Sequence, residues 1–181
     1  GGSEMLTITE GLAEIKTLKA RIEKKRQGIG PYIVRPAQMR DPMEKDGGVA
    51  NWIARELQSI GDMEDRIIRI RLAIQKANLE TQLKIGTREF SIAEWLTWRR
   101  EIQADWAKFQ RNLQDTLARV RQDPRNQGRA IRSDGEAGPT DIIAHIDEAQ
   151  LAKTYDEYME TIGALDGRLS LANATTLIEV A

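Results

Sequence analysis

The chain has no cysteine, which excludes disulfides, thiolate nucleophiles and thiolate metal sites. Its lone histidine, His145, cannot by itself build the multi-imidazole sites that transition metals favour. Basic excess is also missing: 27 Lys and Arg face 28 Asp and Glu, for a net charge of −1. Binding to nucleic acid or to an anionic membrane draws on such an excess, so neither is expected as a partner. Aromatic residues make up only 5%. No apolar run approaches the roughly 20 residues needed to span a bilayer, and no signal-peptide core follows the N-terminus. The expectation is a soluble cytoplasmic protein without cofactor or metal. Gly1-Gly2-Ser3 reads as a cloning scar, which with Glu4 would precede a natural start at Met5.

What the chain does have is a phrase used twice. Residues 77–85 and 172–180 both follow Ala-Asn-x-x-Thr-x-(Leu/Ile)-x-(Ile/Val), aligned on Asn78 and Asn173. Both close a long helical pattern and then alternate with period two, as a strand does. Asn tolerates the left-handed conformation that ends helices, so each Asn is expected to be a helix stop. The chain therefore reads as two copies of a helix pair ending in a short strand.

Periodicity places the elements. A first helix runs from about Ile8 to Gln27, opened by a Thr7–Glu10 capping box and carrying a stripe of Ile8, Leu12, Ile15, Leu18 and Ile22. Gly28 and Gly30-Pro31 should end it. Residues 28–48 hold three of the five prolines and form a long irregular loop. A second helix covers about Val49 to Asn78. A hairpin over 81–90 turns at Gly86-Thr87. A Ser91–Glu94 capping box opens a third helix running to about Gln122, ended by Asp123-Pro124. Residues 123–140 are a second long loop, with Arg125, Arg129 and Arg132. A fourth helix spans Asp141 or Asp147 to Asn173. The expected fold is one all-α domain over 1–181: an antiparallel four-helix bundle built from two helix-pair repeats, with a small β-hairpin or strand cap. Helices of 30 residues are about 45 Å long. They should leave apolar length exposed, including Trp52, Trp95 and Trp98, and exposed apolar area marks an interface. A homo-oligomer is expected.

The stretch 66–102, with a helix ending in Asn-x-x-Thr, a Gly turn, an N-capping Ser and the pair Arg99-Arg100, resembles the septicolysin-like family. That family consists of small helical bacterial and phage proteins. The ending at Asn173–Thr176 resembles the same pattern. The resemblance implies a helical-hairpin fold and carries no secure activity.

For chemistry, the chain favours Arg over Lys, 18 to 9, and Arg supplies the planar fork suited to phosphate and carboxylate. Trp95, Trp98, Arg99 and Arg100 are the candidate ligand-binding group. Trp95 and Arg99 are i,i+4 neighbours at the start of the third helix, where free N–H groups and the dipole favour an anion. Arg66, Arg69 and Arg88 approach the same end through the hairpin. Arg35 and Tyr32 come from the first loop, with Arg40, Arg129 and Arg132 as further lid residues. A base that stacks and phosphates that pair would suit this equipment. The competing assignment makes the tryptophans core and the arginines ion-pair partners. Asp141, His145, Asp147 and Glu148 read as an acidic helix start, as the dipole favours. Acids on two helices (Glu56, Asp62, Glu64 and Asp65; Asp156, Glu157 and Glu160) lack the Glu-Glu-x-x-Glu pairing of a Mg²⁺-dependent nucleotide hydrolase.

The expected function is a non-enzymatic oligomer that sequesters a small anionic, nucleotide-type ligand. Its specific form is a phage counter-defence sponge for immune signalling nucleotides. The alternatives are a ligand-free assembly protein and an all-α Mg²⁺-dependent hydrolase.

Overall fold

A computed structural model describes residues 2–181; Gly1, part of the expected scar, lies outside the described residues. The chain is mainly helical, with short strand pairs. The residues gather into two compact units.

The first unit comprises residues up to Thr81 together with Leu171–Ala181. It opens with strand β1 (Glu4–Thr7), which leads directly into α1 (Ile8–Ile29). Thr7 sets the junction: its hydroxyl accepts from Glu10 N–H at 3.1 Å, and the Glu10 carboxylate accepts from Thr7 N–H at 3.3 Å. Ile8, Ile15, Leu18 and Ile22 face inward, as their spacing requires. The helix passes through Gly28 and gives way to a 3-10 turn at Gly30–Tyr32, where Pro31 interrupts the backbone donors. Helix α2 (Val49–Glu80) packs its Ile60, Ile70 and Ile74 face on α1. Ile22, Ile29 and Ile60 form a cluster joined by Trp52, Ile53, Met63 and Ile67. The last strand of the chain, β6 (Leu177–Val180), pairs antiparallel with β1, Thr7 opposite Leu177 and Glu4 opposite Val180. Glu4, expected to precede the native start, is thus a strand residue.

The second unit is Gln82–Ser170. Strand β2 (Gln82–Ile85) and strand β3 (Arg88–Ser91) form the expected hairpin, Gln82 opposite Ser91 and Ile85 opposite Arg88. Gly86 has φ +61° at the first central position, the pattern of a type II′ turn. Ser91 and Glu94 then close the second capping box and open α3 (Ile92–Glu101). The expected single third helix is divided: Ile102, at φ −118°, separates α3 from α4 (Gln103–Gln122). Residues 123–140 are less irregular than expected. Strand β4 (Ile131–Arg132) pairs in parallel with β5 (Ile142–Ile143), so Asp141 is not helical. Helix α5 (Glu148–Thr175) starts after Asp147, whose carboxylate accepts the N–H groups of Ala149 and Gln150.

The repeat is confirmed at both helix–strand joints, but Thr marks them instead of Asn. Asn78 lies inside α2 and Asn173 inside α5, and no described residue other than glycine has positive φ. Each helix closes by a bond from Thr N–H to the carbonyl of the repeated Ala: Thr81 to Ala77 at 2.9 Å and Thr176 to Ala172 at 2.8 Å. Extended backbone follows at once (Thr81 φ −85°, ψ 116°), which a β-branched residue favours. The two antiparallel strand pairs have equivalent register: a cap residue, Thr7 or Ser91, faces the first strand residue after a helix, Leu177 or Gln82.

Candidate functional site

The second unit holds a cavity of about 400 Å³ between the hairpin turn and α5. Trp98 and Tyr158 line it and belong to a larger aromatic cluster behind it. Phe90 meets Trp95 edge-on, Trp95 meets Trp98 edge-on, and Tyr158 lies against both Trp98 and the stacked ring of Trp106. Helical spacing puts Trp95 and Trp98 on one face of α3, and the capping box fixes where that face begins. Tyr158 comes from α5, and Arg88 at the start of β3 holds its guanidinium carbon 5.9 Å from the Tyr158 ring centre. Gly86, Thr87, Glu157, Glu160 and Arg168 complete the polar rim.

Two of the lining residues carry a buried polar atom without a hydrogen-bond partner: Trp98 Nε1 and Tyr158 Oη. Stranding a buried donor costs about 1–3 kcal/mol, so a bound group able to accept from them would be favoured. Burial pushes the Tyr158 hydroxyl above its ordinary range, with Arg88 pulling the other way, so it keeps its proton and can donate. Arg88 and Arg168 have no carboxylate partner among the described residues, whereas nine other ion pairs form.

The start of α3 does not form the expected anion site. The Glu94 carboxylate accepts from Ser91 N–H at 2.9 Å, and Ser91 Oγ accepts from Glu94 N–H at 3.1 Å, so the capping box engages two of the N–H groups at the helix start. Those contacts hold Glu94 below its ordinary pKa, so a negative charge already sits there. Trp95 is fully buried rather than exposed, and its Nε1 donates to Leu83 O at 2.7 Å. It has no free face for a base. Arg99 pairs with Asp166 at 2.8 Å, and Arg100 is exposed. Only Trp98 and Arg88 of the candidates in this unit line the cavity.

The remaining candidates belong to the first unit. Arg66 pairs with Glu4 at 2.7 Å and Glu14 at 2.9 Å, and Arg69 is exposed. Arg35 donates to Met39 O at 2.6 Å, and Tyr32 packs edge-on against Trp52. These two line a separate loop cavity of about 550 Å³ with exposed Ile33, Val34 and Met39. Asp41 ties that loop to the start of α2 by accepting from Met43 and Val49 N–H, which lowers its pKa.

Tyr158 and Arg168 did not emerge from sequence reasoning. No spacing rule joins them to Arg88, because the link is the approach of the hairpin turn to α5, where a Cβ on Gly86 would meet Thr161 Oγ1 at 3.1 Å. Asp141, His145, Asp147 and Glu148 share no helical face: Asp141 pairs with Arg132, Asp147 caps α5, and Glu148 pairs with Arg121. No three His, Asp or Glu side chains gather as a metal ligand set among the described residues. No helix there is long and apolar enough to cross a membrane. No family model and no curated protein matches the sequence. A crystal structure of a functionally unknown conserved protein from Corynebacterium diphtheriae is similar, at 18% identity and a TM-score of 0.49, over 98% of this chain and 100% of that one.

Proposed function

We propose that this protein is a non-catalytic, homo-oligomeric binder of a small anionic, nucleotide-type ligand, held at the cavity between the β2–β3 turn and α5. The observation that carries the reading is one cavity whose lining joins two ion-pair-free arginines with Trp98 and Tyr158, whose polar atoms are buried and unpartnered. Arg88 and Arg168 supply positive charge for a phosphate, while the Tyr158 hydroxyl and Trp98 indole N–H supply hydrogen bonds away from water. Glu157 and Glu160 on the same rim would repel a bare anion and accept from a base or sugar donor. A ligand with both phosphate and donor edges suits that mixture better than inorganic phosphate does.

A phage counter-defence sponge is the specific biological form of this proposal. Its support is the resemblance of the Asn-x-x-Thr ends to septicolysin-like proteins. The antiparallel four-helix bundle belongs to the proposal too, supported by the repeated joints and their matching strand register.

A thermal-shift series against mono-, di- and cyclic nucleotides, with and without Mg²⁺, tests the reading, because a ligand of the folded state raises the melting temperature by mass action. Arg88→Ala and Arg168→Ala should each weaken binding by roughly tenfold to a hundredfold, the loss of one charge-assisted contact. The ligand should be recovered chemically unchanged after heat denaturation. Turnover with Mg²⁺ would point to a hydrolase. A screen with no shift at all would leave an assembly protein, the reading favoured by the exposed apolar residues of α2.

A further inference from the structure

Helix α2 has two apolar faces, and only one of them is used within the chain. Ile60, Ile70, Ile74 and Ala77 are buried against the rest of the first unit. Leu57, Ile68, Leu72 and Leu79 are 56%, 64%, 65% and 67% exposed. At about 100° per residue these four project within about 60° of one another, a continuous stripe along the helix. Gly61 falls on the same line and leaves room for close approach; a Cβ there would meet nothing within 4 Å.

The charges beside the stripe have an order of their own. Along one flank the exposed residues run Arg55, Asp62, Asp65, Arg69, Lys76, Glu80. Their signs read plus, minus, minus, plus, plus, minus, and reversing that order inverts every sign. None of the six forms an ion pair among the described residues. The ion pairs of α2 lie elsewhere: Lys25–Glu56, Arg26–Glu64, and Arg66 with Glu4 and Glu14.

We infer that α2 docks antiparallel on α2 of a second copy of this chain, about a twofold axis near Ile68. In antiparallel packing like flank meets like flank, so a sequence that inverts sign on reversal is complementary to itself. Centred near Ile68, the register sets Arg55 against Glu80, Asp62 against Lys76 and Asp65 against Arg69. The same register opposes Leu57 to Leu79 and places Ile68 against its own copy. On the other flank, Glu64 meets Arg71. This deepens only the oligomer part of the proposed function; the ligand cavity is formed by residues outside α2, so the two can fail separately.

Light scattering at tens of micromolar should give about twice the chain mass of 20.4 kDa. Ile68→Glu places two carboxylates on the axis and should raise the dimer dissociation constant at least tenfold, with circular dichroism unchanged because the site is exposed. Asp65→Arg alone and Arg69→Asp alone should each weaken the dimer, and the double exchange should restore it. A monomeric parent protein overturns the inference. So does a dimer indifferent to Ile68→Glu, or one in which the double exchange is no better than the single ones; either would assign the stripe to another partner or another register.

Discussion

At the scale of single residues, the two units differ most where their helices begin. Gly11 in α1 and Trp95 in α3 each stand four residues beyond a cap residue, Thr7 and Ser91. Around Gly11 the packing is tight: a Cβ there would meet Ile178 Cδ1 at 3.0 Å, Ile70 Cγ2 at 3.2 Å and Ile74 Cδ1 at 3.4 Å. Around Trp95 the corresponding space is filled by an indole that donates to Leu83 O. The glycine thus brings helix and strand together, and the tryptophan fills the equivalent space and packs behind Trp98 of the cavity lining. Gly11→Ala gains up to about 1 kcal/mol of helix propensity but forces the Ile178 methyl to move in a close-packed core, at about 1–3 kcal/mol. Net destabilisation by about 1 kcal/mol in urea unfolding is therefore expected. Gly163→Ala in α5, where nothing lies within 4 Å of the added carbon, should stabilise instead. Equal effects of the two substitutions would show that packing at Gly11 is looser than its distances imply.

At the scale of elements, each helix pair is framed by local chemistry that can be read without coordinates. Thr7 with Glu10, Ser91 with Glu94 and the Gly86-Thr87 turn all formed where their residue types placed them. The second box has a pH consequence. Backbone N–H donation by Ser91, aided by its side chain, holds Glu94 below its ordinary value of 4.5. A carboxylate whose folded pKa is depressed contributes fully above its unfolded pKa and loses that contribution as pH falls through the folded value. Unfolding stability should therefore decline below about pH 4.5, and Glu94→Gln should make that decline shallower by lowering stability at pH 7 while leaving the acid end little changed. An acid limb of identical slope in the variant would assign the loss to other carboxylates, Asp41 and Asp123 first. What the sequence did not reveal at this scale depends on contacts between distant segments. The break at Ile102 interrupts a stretch whose periodicity reads as one helix, and the β4–β5 pair joins residues in a stretch whose composition reads as loop. The misplaced anion site has the same cause: spacing put Trp95 and Arg99 on neighbouring turns but could not show that the hairpin buries the indole or that Asp166 takes the guanidinium.

At the scale of the whole chain, the two like helix–strand joints have a topological consequence. Each half begins with a strand and a cap and ends with a long helix and a strand, the second passing through α3, α4 and the β4–β5 pair on the way, and in each the last helix closes on the repeated Ala through a Thr N–H. The final strand of a copy does not pair with its own first strand. Strand β2 ends the first copy and pairs with β3, which begins the second; β6 ends the second and pairs with β1, which begins the first. Ile85 and Arg88 are opposed and joined by Gly86-Thr87, while Val180 and Glu4 are opposed in the equivalent place with no peptide between them. The two connections are interchangeable in principle. A circular permutant that joins Ala181 to Glu4 through one glycine, with new ends between Gly86 and Thr87, should therefore fold. The new joint is a two-residue hairpin loop, and Gly supplies the flexible backbone such a turn needs. The opened turn leaves β2 and β3 held by their ladder and by Ile85 and Ile92, which are almost fully buried. Its far-ultraviolet circular dichroism should match the parent's. Its stability should stay within about 1–2 kcal/mol of the parent's, because the β2–β3 pairing then closes the long loop while the β1–β6 pairing closes the short one, and the two closure costs exchange. The free ends also lie beside Arg88 in the cavity lining, so the ligand binding proposed for that cavity should weaken before folding does. A permutant that is unfolded, or that binds as the parent does while melting far lower, would mean that the two halves are not equivalent in the way their shared joints and register indicate.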